Sequence, residues 1–188
     1  MDFKELYKNR RAIRNYHDRP VSTEILKDIV KESTMAPSSG NNQPWQFVIV
    51  NNREMMKRIS DESKKNLLKR IDDSPEDYIK KYENALKNEN FNAFYNAPAL
   101  IILSGFRDYR NLLIDCALCV AYMMNLAVVR GLGTCWVNLG SDIRDPALLG
   151  ELGITDEMQI VAPVIIGYPV NIPPAPQRAE PVILKIIN

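Results

Sequence analysis

Residues 98–130, PALIILSGFRDYRNLLIDCALCVAYMMNLAVVR, decide how this chain folds. Pro98 to Ser104 is a continuous apolar run of strand composition, and Asn111 to Arg130 reads as a long helix that is apolar nearly all round. Such a pair describes a central strand and the buried helix that covers it. The uncharged part of the helix, Cys116 to Val129, is 14 residues long and contains Asn125, whereas a membrane span needs roughly 20 apolar residues. The expectation is therefore a core helix and no membrane. Outward from this centre, Trp45 to Val50, Thr134 to Val137 and Ile160 to Ile166 supply three more strands. Asp145 and Pro146 open a short helix between the last two.

On the N-terminal side, residues 3 to 10 read as a short helix. Ser22 caps a second one ending near Ser33, with Val21 and Leu26 as its hydrophobic staple. Arg53 to about Lys87 reads as two exposed helices, broken at Asp72-Asp73-Ser74-Pro75, with Ser74 capping the second. Tyr78, Tyr82, Phe91, Phe94 and Tyr95 crowd aromatic surface after that break, and either pack on the core or form a lid over a flat ligand. Residues 1–168 are expected to make one domain. Residues 169–188 form a tail with five prolines at 169, 173, 174, 176 and 181, ending in the strand-like Val182 to Ile187. At ~3.1 Å per residue the proline-rich part reaches about 40 Å. The last strand must then pair with a distant sheet edge, its own or a partner's, which points to an interlocked homodimer.

Composition narrows the function. With 24 Lys+Arg against 23 Asp+Glu the formal net charge is +1, so no global field draws the chain to nucleic acid or an acidic membrane. Any anion site must be local. The 188 residues are 46% hydrophobic and 25% charged, the balance of a globular protein with its own core. Three cysteines and a polar start, MDFKELYKNR, suggest a reducing cytoplasm with no disulfide framework. His17 is the only histidine, which disfavours Ser-His-Asp and Cys-His catalysis. HExxH, GxxxxGK[ST] and GxGxxG are absent. Cys116-Ala-Leu-Cys119 lies inside the apolar helix, where the two thiols read as small buried hydrophobes in preference to a redox pair or a zinc site.

Two segments carry candidate chemistry. Arg10, Arg11 and Arg14 put three guanidinium groups within five residues, and Arg178 adds one in the tail. Arginine forks suit a small phosphate dianion, although exposed arginines are as readily solvated. The loop from Pro37 to Pro44 gathers serine hydroxyls, the amides beside Gly40, and the carboxamides of Asn41, Asn42 and Gln43. That set of neutral donors and acceptors can read the edge of a planar heterocycle, or simply make a turn.

With these residues in hand the order RRAIRNY, APSSGNNQPWQFVIV, GLGTCW, VIIGYP and PAPQR resembles the FMN-dependent nitroreductase family, over residues 3 to about 178. The resemblance implies an α+β sandwich, with a central, mainly antiparallel sheet flanked by helices, forming a homodimer that exchanges its C-terminal strand. It implies that Arg10 and Arg178 hold the FMN phosphate, that Arg11 lies beside the ribityl chain, and that Arg14 faces the pyrimidine edge. By the same resemblance Pro37, Ser38 and Ser39 touch the flavin of the other subunit, with Asn41 and Gln43 at the polar edge. Trp136, Val137, Asn138, Leu139 and Gly140 would lie against the ring, backbone amides near N5. Ala12 stands where many relatives carry serine, and Val137 to Gly140 lacks the Glu-Gly or Gly-Gly pair common there. The implied activity is ping-pong transfer from NADH or NADPH through flavin N5 to a nitroaromatic, quinone or similar flat acceptor, with no dedicated acid or base. Reductive dehalogenation and flavin-destroying chemistry are alternatives within the family. A non-catalytic flavin or nucleotide carrier, or an RNA-binding module using RRAIR, are alternatives outside it.

Overall fold

The computed structural model describes residues 2–188. Helices α1 (Phe3–Asn9) and α2 (Thr23–Ser33) come first. Each begins at the side chain its sequence offers: Asp2 and Glu5 form a capping box, and Ser22 Oγ accepts from the Ile25 amide. Strand β1 (Gln46–Val50) precedes α3 (Arg53–Asp73) and the short α4 (Glu83–Lys87). Then follow β2 (Ala99–Phe106), α5 (Leu112–Val129), β3 (Gly133–Trp136), α6 (Pro146–Glu151) and β4 (Met158–Gly167).

The strands form one antiparallel sheet in the order β1-β2-β4-β3. Its centre is the apolar strand β2, whose alternate side chains enter two separate cores. Leu100 and Ile102 face the layer built from α3, Phe94 and α6, while Ala99, Ile101 and Leu103 face α2 and α5. Both faces of the sheet are thus covered, which is why β2 is apolar without alternation. Pro163 sits inside β4 yet breaks nothing. Its carbonyl accepts from Val137, just past the end of β3, so the missing N–H falls on a side where no strand needs it.

Three expectations change. First, Ser74 does not cap a helix. It terminates a single 21-residue α3, and a 3-10 turn (Tyr78–Tyr82) follows, capped by Asp77. The reason is the Asp77 carboxylate, which accepts from the Ile79 amide and from Arg70 Nε at 2.8 Å, a stronger hold than one serine hydroxyl. Second, α3 is not an exposed helix, because Met56, Ile59, Leu67 and Ile71 enter the core, accompanied by Ser60, Ser63, Lys64 and Asn66. Third, α5 is not buried all round. Cys116, Cys119, Met123 and Ala127 are sealed in the core, but Leu113, Ile114, Leu118, Tyr122 and Val129 are exposed, Ile114 by 63%. One sheet can cover only one side of a helix, and the other side stays bare in the single chain.

The helix also has the length and hydropathy of a short membrane span, but its sealed inner face makes it a core helix here. The tail beyond Gly167 holds only an isolated bridge, Tyr16 to Pro169, and no strand. Val182 to Ile187 carry exposed apolar side chains, with Leu184 95% exposed. Within one chain this segment pairs with no sheet edge.

Candidate functional site

Residues 10–14 run extended beside β3, tied by the Ile13 amide to Thr134 O at 2.9 Å and by a parallel bridge between Ala12 and Thr134. Gly133 permits that approach, since a Cβ there would lie 2.4 Å from Ile13 Cγ1. Alternation along an extended chain then separates the arginines. Arg14 lines a cavity of about 390 Å³ with Tyr78, Tyr82, Tyr95 and residues 135–139, and its guanidinium stands 5.8 Å from the Tyr95 ring. Arg10 reaches Met124 Sδ at 3.9 Å. Both arginines lie close enough to Cys135 to offset part of the upward push that burial gives its thiol.

Arg11 turns the other way. It donates to Arg10 O at 2.8 Å and lines a separate, mostly apolar cavity with Ile13, Gly133 and Ile172. Its Nε is buried without a partner among the described residues. The three arginines therefore do not line one cavity within a single chain, Arg11 bordering a different one from Arg14. Arg178 lies exposed on the tail with no hydrogen bond or ion pair among the described residues.

The wall formed by residues 136–140 is set by α3. Ser63 Oγ donates to Leu139 O at 2.9 Å and accepts from the Asp142 amide at 3.0 Å, while Asn66 Nδ2 donates to Asp142 O. Gly140 lies flat on Phe94, so close that a Cβ would sit 2.2 Å from the ring. Of the amides expected to face a ring, that of Val137 is engaged with Pro163 O at 2.8 Å. Those of Asn138 and Leu139 open a 3-10 turn and have no partner among the described residues. Trp136 presents a buried, unpartnered Nε1, while its ring packs toward the α2 and α5 core.

The aromatic cluster divides between its two readings. Phe94 is fully buried core, whereas Tyr78 and Tyr82 are exposed at 63% and 37% and border the cavity. Tyr95 and Asn96 hold left-handed φ of 54° and 53°, a conformation that survives in bulky residues only where neighbours fix it. The Tyr95 amide donates to Asn92 O and the Ala97 amide to Phe94 O around this pair, and Lys64 ties down the segment before it, with Nζ donating to Asn88 O and Phe91 O at 2.9 and 2.7 Å. Sequence reasoning missed Ser60, Ser63, Lys64 and Asn66. Their signal was polar residues at helical spacing on the same side as Met56, Ile59 and Leu67. Ser63→Ala strands a buried carbonyl and a half-buried amide, so it is expected to lower unfolding free energy by about 2 kcal/mol in urea denaturation. A change below about 0.5 kcal/mol would show the clamp to be unimportant.

The loop from Pro37 to Pro44 lies at the opposite end of α5. The Ser39 amide donates to Asp115, and Asn42, Gln43 and Tyr109 line a third cavity of about 500 Å³. Arg10 meets α5 at Met124, nine residues further along, or about 14 Å at 1.5 Å per residue. Arg14 and the loop line different cavities in one chain. Gly40, Asn41 and Gln43 hold φ of 58°, 57° and 47°, and Gln43 Nε2 donates to Asn41 Oδ1 at 3.2 Å. Asp115 and Tyr109 were also missed, since nothing in the sequence links position 39 to position 115.

The cysteines lie apart from this chemistry. Burial pushes the Cys116 and Cys119 thiols up to about 12 and about 11, and all three cysteines are free and buried. A thiol reagent at pH 8 is expected to titrate none of them until denaturant is added, because the thiolate is the reactive form. Rapid labelling of the folded protein would contradict this placement.

The sequence profile described as the nitroreductase family matches residues 7–168. A protein of Archaeoglobus fulgidus, named as a presumptive NADH dehydrogenase/NAD(P)H nitroreductase, is 29% identical over 85% of this chain and 81% of its own. A nitrobenzene nitroreductase of Ectopseudomonas oleovorans is 26% identical over 93% and 90%. The crystal structure of a nitroreductase with bound FMN from Bacteroides fragilis superposes with a TM-score of 0.79, covering 100% of this chain and 98% of that one at 23% identity.

Proposed function

The chain belongs to the nitroreductase family, and from that premise we propose that it is an FMN-dependent NAD(P)H oxidoreductase acting on nitroaromatic, quinone or similar flat acceptors. The observation that carries this reading is the cavity beside β3. A guanidinium stands at one part of its wall, two unpartnered amides at another, and tyrosines border it. A planar ring with carbonyl and nitrogen atoms at its edge requires such a set, so the residues present fit FMN.

Bound FMN would supply two-electron transfer at N5, taken from NADH or NADPH and passed to the acceptor in a ping-pong cycle. The chain's own residues do the rest. Arg14 stabilises negative charge at the pyrimidine edge electrostatically, which needs no titrating side chain and suits a protein with one histidine. The amides of Asn138 and Leu139 orient the ring, and Ser63 holds their backbone. Arg10 takes the phosphate, joined by Arg178 once the tail is docked. Tyr78 and Tyr82 offer aromatic faces to a flat acceptor.

The functional unit in this reading is a homodimer. The bare stripe of Ile114, Leu118, Tyr122 and Val129 on α5 gives it an apolar seam, and exchange of the tail gives Val182 to Ile187 a sheet edge. Pairing also explains why the loop at Pro37, Ser38 and Ser39 lies apart from Arg14 in one chain, for it would serve the partner's ring with Asn41 and Gln43. No nucleic acid or membrane enters this account, and a cytoplasmic setting agrees with the free thiols.

The test is the visible spectrum of the purified protein under anaerobic NADH or NADPH, followed by a nitroaromatic or quinone. A flavin spectrum that bleaches and returns is expected. Colourless protein contradicts the reading, and flavin that neither nucleotide bleaches indicates a carrier instead.

A further inference from the structure

We propose that Asp115 is a positioning residue whose buried carboxylate fixes the Pro37–Gln43 loop in the shape that meets FMN across the subunit boundary, an inference that rests on the functional reading above. Asp115 is 2% exposed and has no ion-pair partner among the described residues. A carboxylate is costly to bury in that way. It stands in the first turn of α5, but it does not cap that helix. Its donors come from elsewhere. The Ser39 amide reaches both of its oxygens, at 3.1 and 3.3 Å, and the Tyr109 hydroxyl donates at 3.0 Å.

Those bonds tie down a strained segment. Asn41 and Gln43 are non-glycine residues with left-handed φ, which persist only when the surroundings over-determine them. Inside the loop, the Gln43 amide donates to Ser38 Oγ at 3.0 Å and Asn42 Nδ2 to Ser39 O at 2.8 Å. These bonds hold the turn together but attach it to nothing. Attachment to the body of the protein comes from Asp115 and from Tyr109, whose hydroxyl also lies 3.3 Å from Ser39 O. Both groups facing Asp115 donate to it, so the position calls for an acceptor. Asparagine keeps one acceptor oxygen for the Ser39 amide and can offer its NH2 only to the Tyr109 hydroxyl oxygen, at the loss of the carboxylate's charge. The loop's exposed face then presents Pro37, Asn41 and Gln43 in a fixed arrangement.

The experiment uses the full-length protein stripped of flavin, with FMN titrated by fluorescence quenching and the visible circular dichroism of the bound flavin recorded. Hydrogen exchange of the peptide spanning 37–43 is followed in parallel. Asp115→Ala is expected to weaken FMN by roughly ten-fold, the loss of one charge-assisted hydrogen bond's worth of positioning. It should also alter the visible dichroism and speed exchange in the loop, with far-UV dichroism unchanged. Asp115→Asn should fall between Asp115→Ala and wild type, and Tyr109→Phe should shift in the same sense by less. FMN affinity within about two-fold of wild type, with unchanged visible dichroism, overturns the proposal. Should Asp115→Ala not fold, Asp115→Asn and Tyr109→Phe decide by the same criterion. Wild-type protein that binds no FMN sinks the functional reading and this inference together. Wild-type binding with unaffected variants sinks the inference alone.

Discussion

Arg14→Ala is expected to lower the midpoint potential of bound FMN by on the order of 70 mV. The figure follows from charge and distance. A guanidinium about 5 Å from the negative charge of the reduced ring, at an effective dielectric of about 20, contributes roughly 3 kcal/mol. For a two-electron couple, about 1.4 kcal/mol corresponds to 30 mV. Arg14 borders the cavity through which this acts, and the other residues of its wall, three tyrosines, Ile79 and residues 135–139, include no second cation. Arg14→Lys keeps the charge and is expected to restore most of the potential, while losing the planar fork. Equilibration of the flavin against a reference dye during anaerobic reduction measures the effect. A potential unchanged in Arg14→Ala would remove this residue from the account.

The second large effect concerns the bare face of α5. Ile114 and Leu118 lie one turn apart on it, with Ile114 exposed by 63% and Leu118 by 39%. Replacing both with glutamate should leave each protomer folded, since both side chains already meet solvent and acidic residues suit the first turns of a helix. In a dimer the same change buries two charges per subunit against an apolar partner, at a cost of several kcal/mol. Sedimentation is expected to give the 21.5 kDa mass of one chain, where wild type sediments as a pair. FMN retention should fall at the same time, because in the proposed dimer the loop around Ser39 serves the ring of the opposite protomer. A double variant that still pairs and keeps its flavin would contradict the seam.

What the sequence made legible follows from how local each signal is. Helix starts were readable where a cap and its target are two or three residues apart, as at Asp145 and Ser22. Strands were readable where apolar runs are short and bounded, as at Ala99 to Leu103. The break after α3 was readable, but the cap of the segment that follows was misread, because Asp77, held by Arg70 seven residues earlier, takes the place expected of Ser74. The exposed face of α5 was misread because composition reports that a helix is apolar, not how many of its sides a single sheet can cover. At the site, the motif RRAIR drew attention to Arg14, which lines the cavity beside β3, but the opposite directions of Arg11 and Arg14 depend on an extended backbone beside β3. That geometry becomes visible only with the Ala12–Thr134 bridge. The clamps from Ser63 and Asp115 span 76 residues each, a separation at which no pattern in the chain connects the partners.

The account depends most on whether the chain recognises a phosphate-bearing flavin as a whole, ring in the cavity and phosphate on the arginines. Parallel titration of the stripped protein with FMN and with riboflavin, which lacks the phosphate, measures that directly. The account predicts one FMN per protomer and riboflavin weaker by roughly a hundred-fold, the equivalent of about 3 kcal/mol from charge-assisted bonds to the dianion. Equal affinity for the two flavins, or affinity for neither, would contradict it.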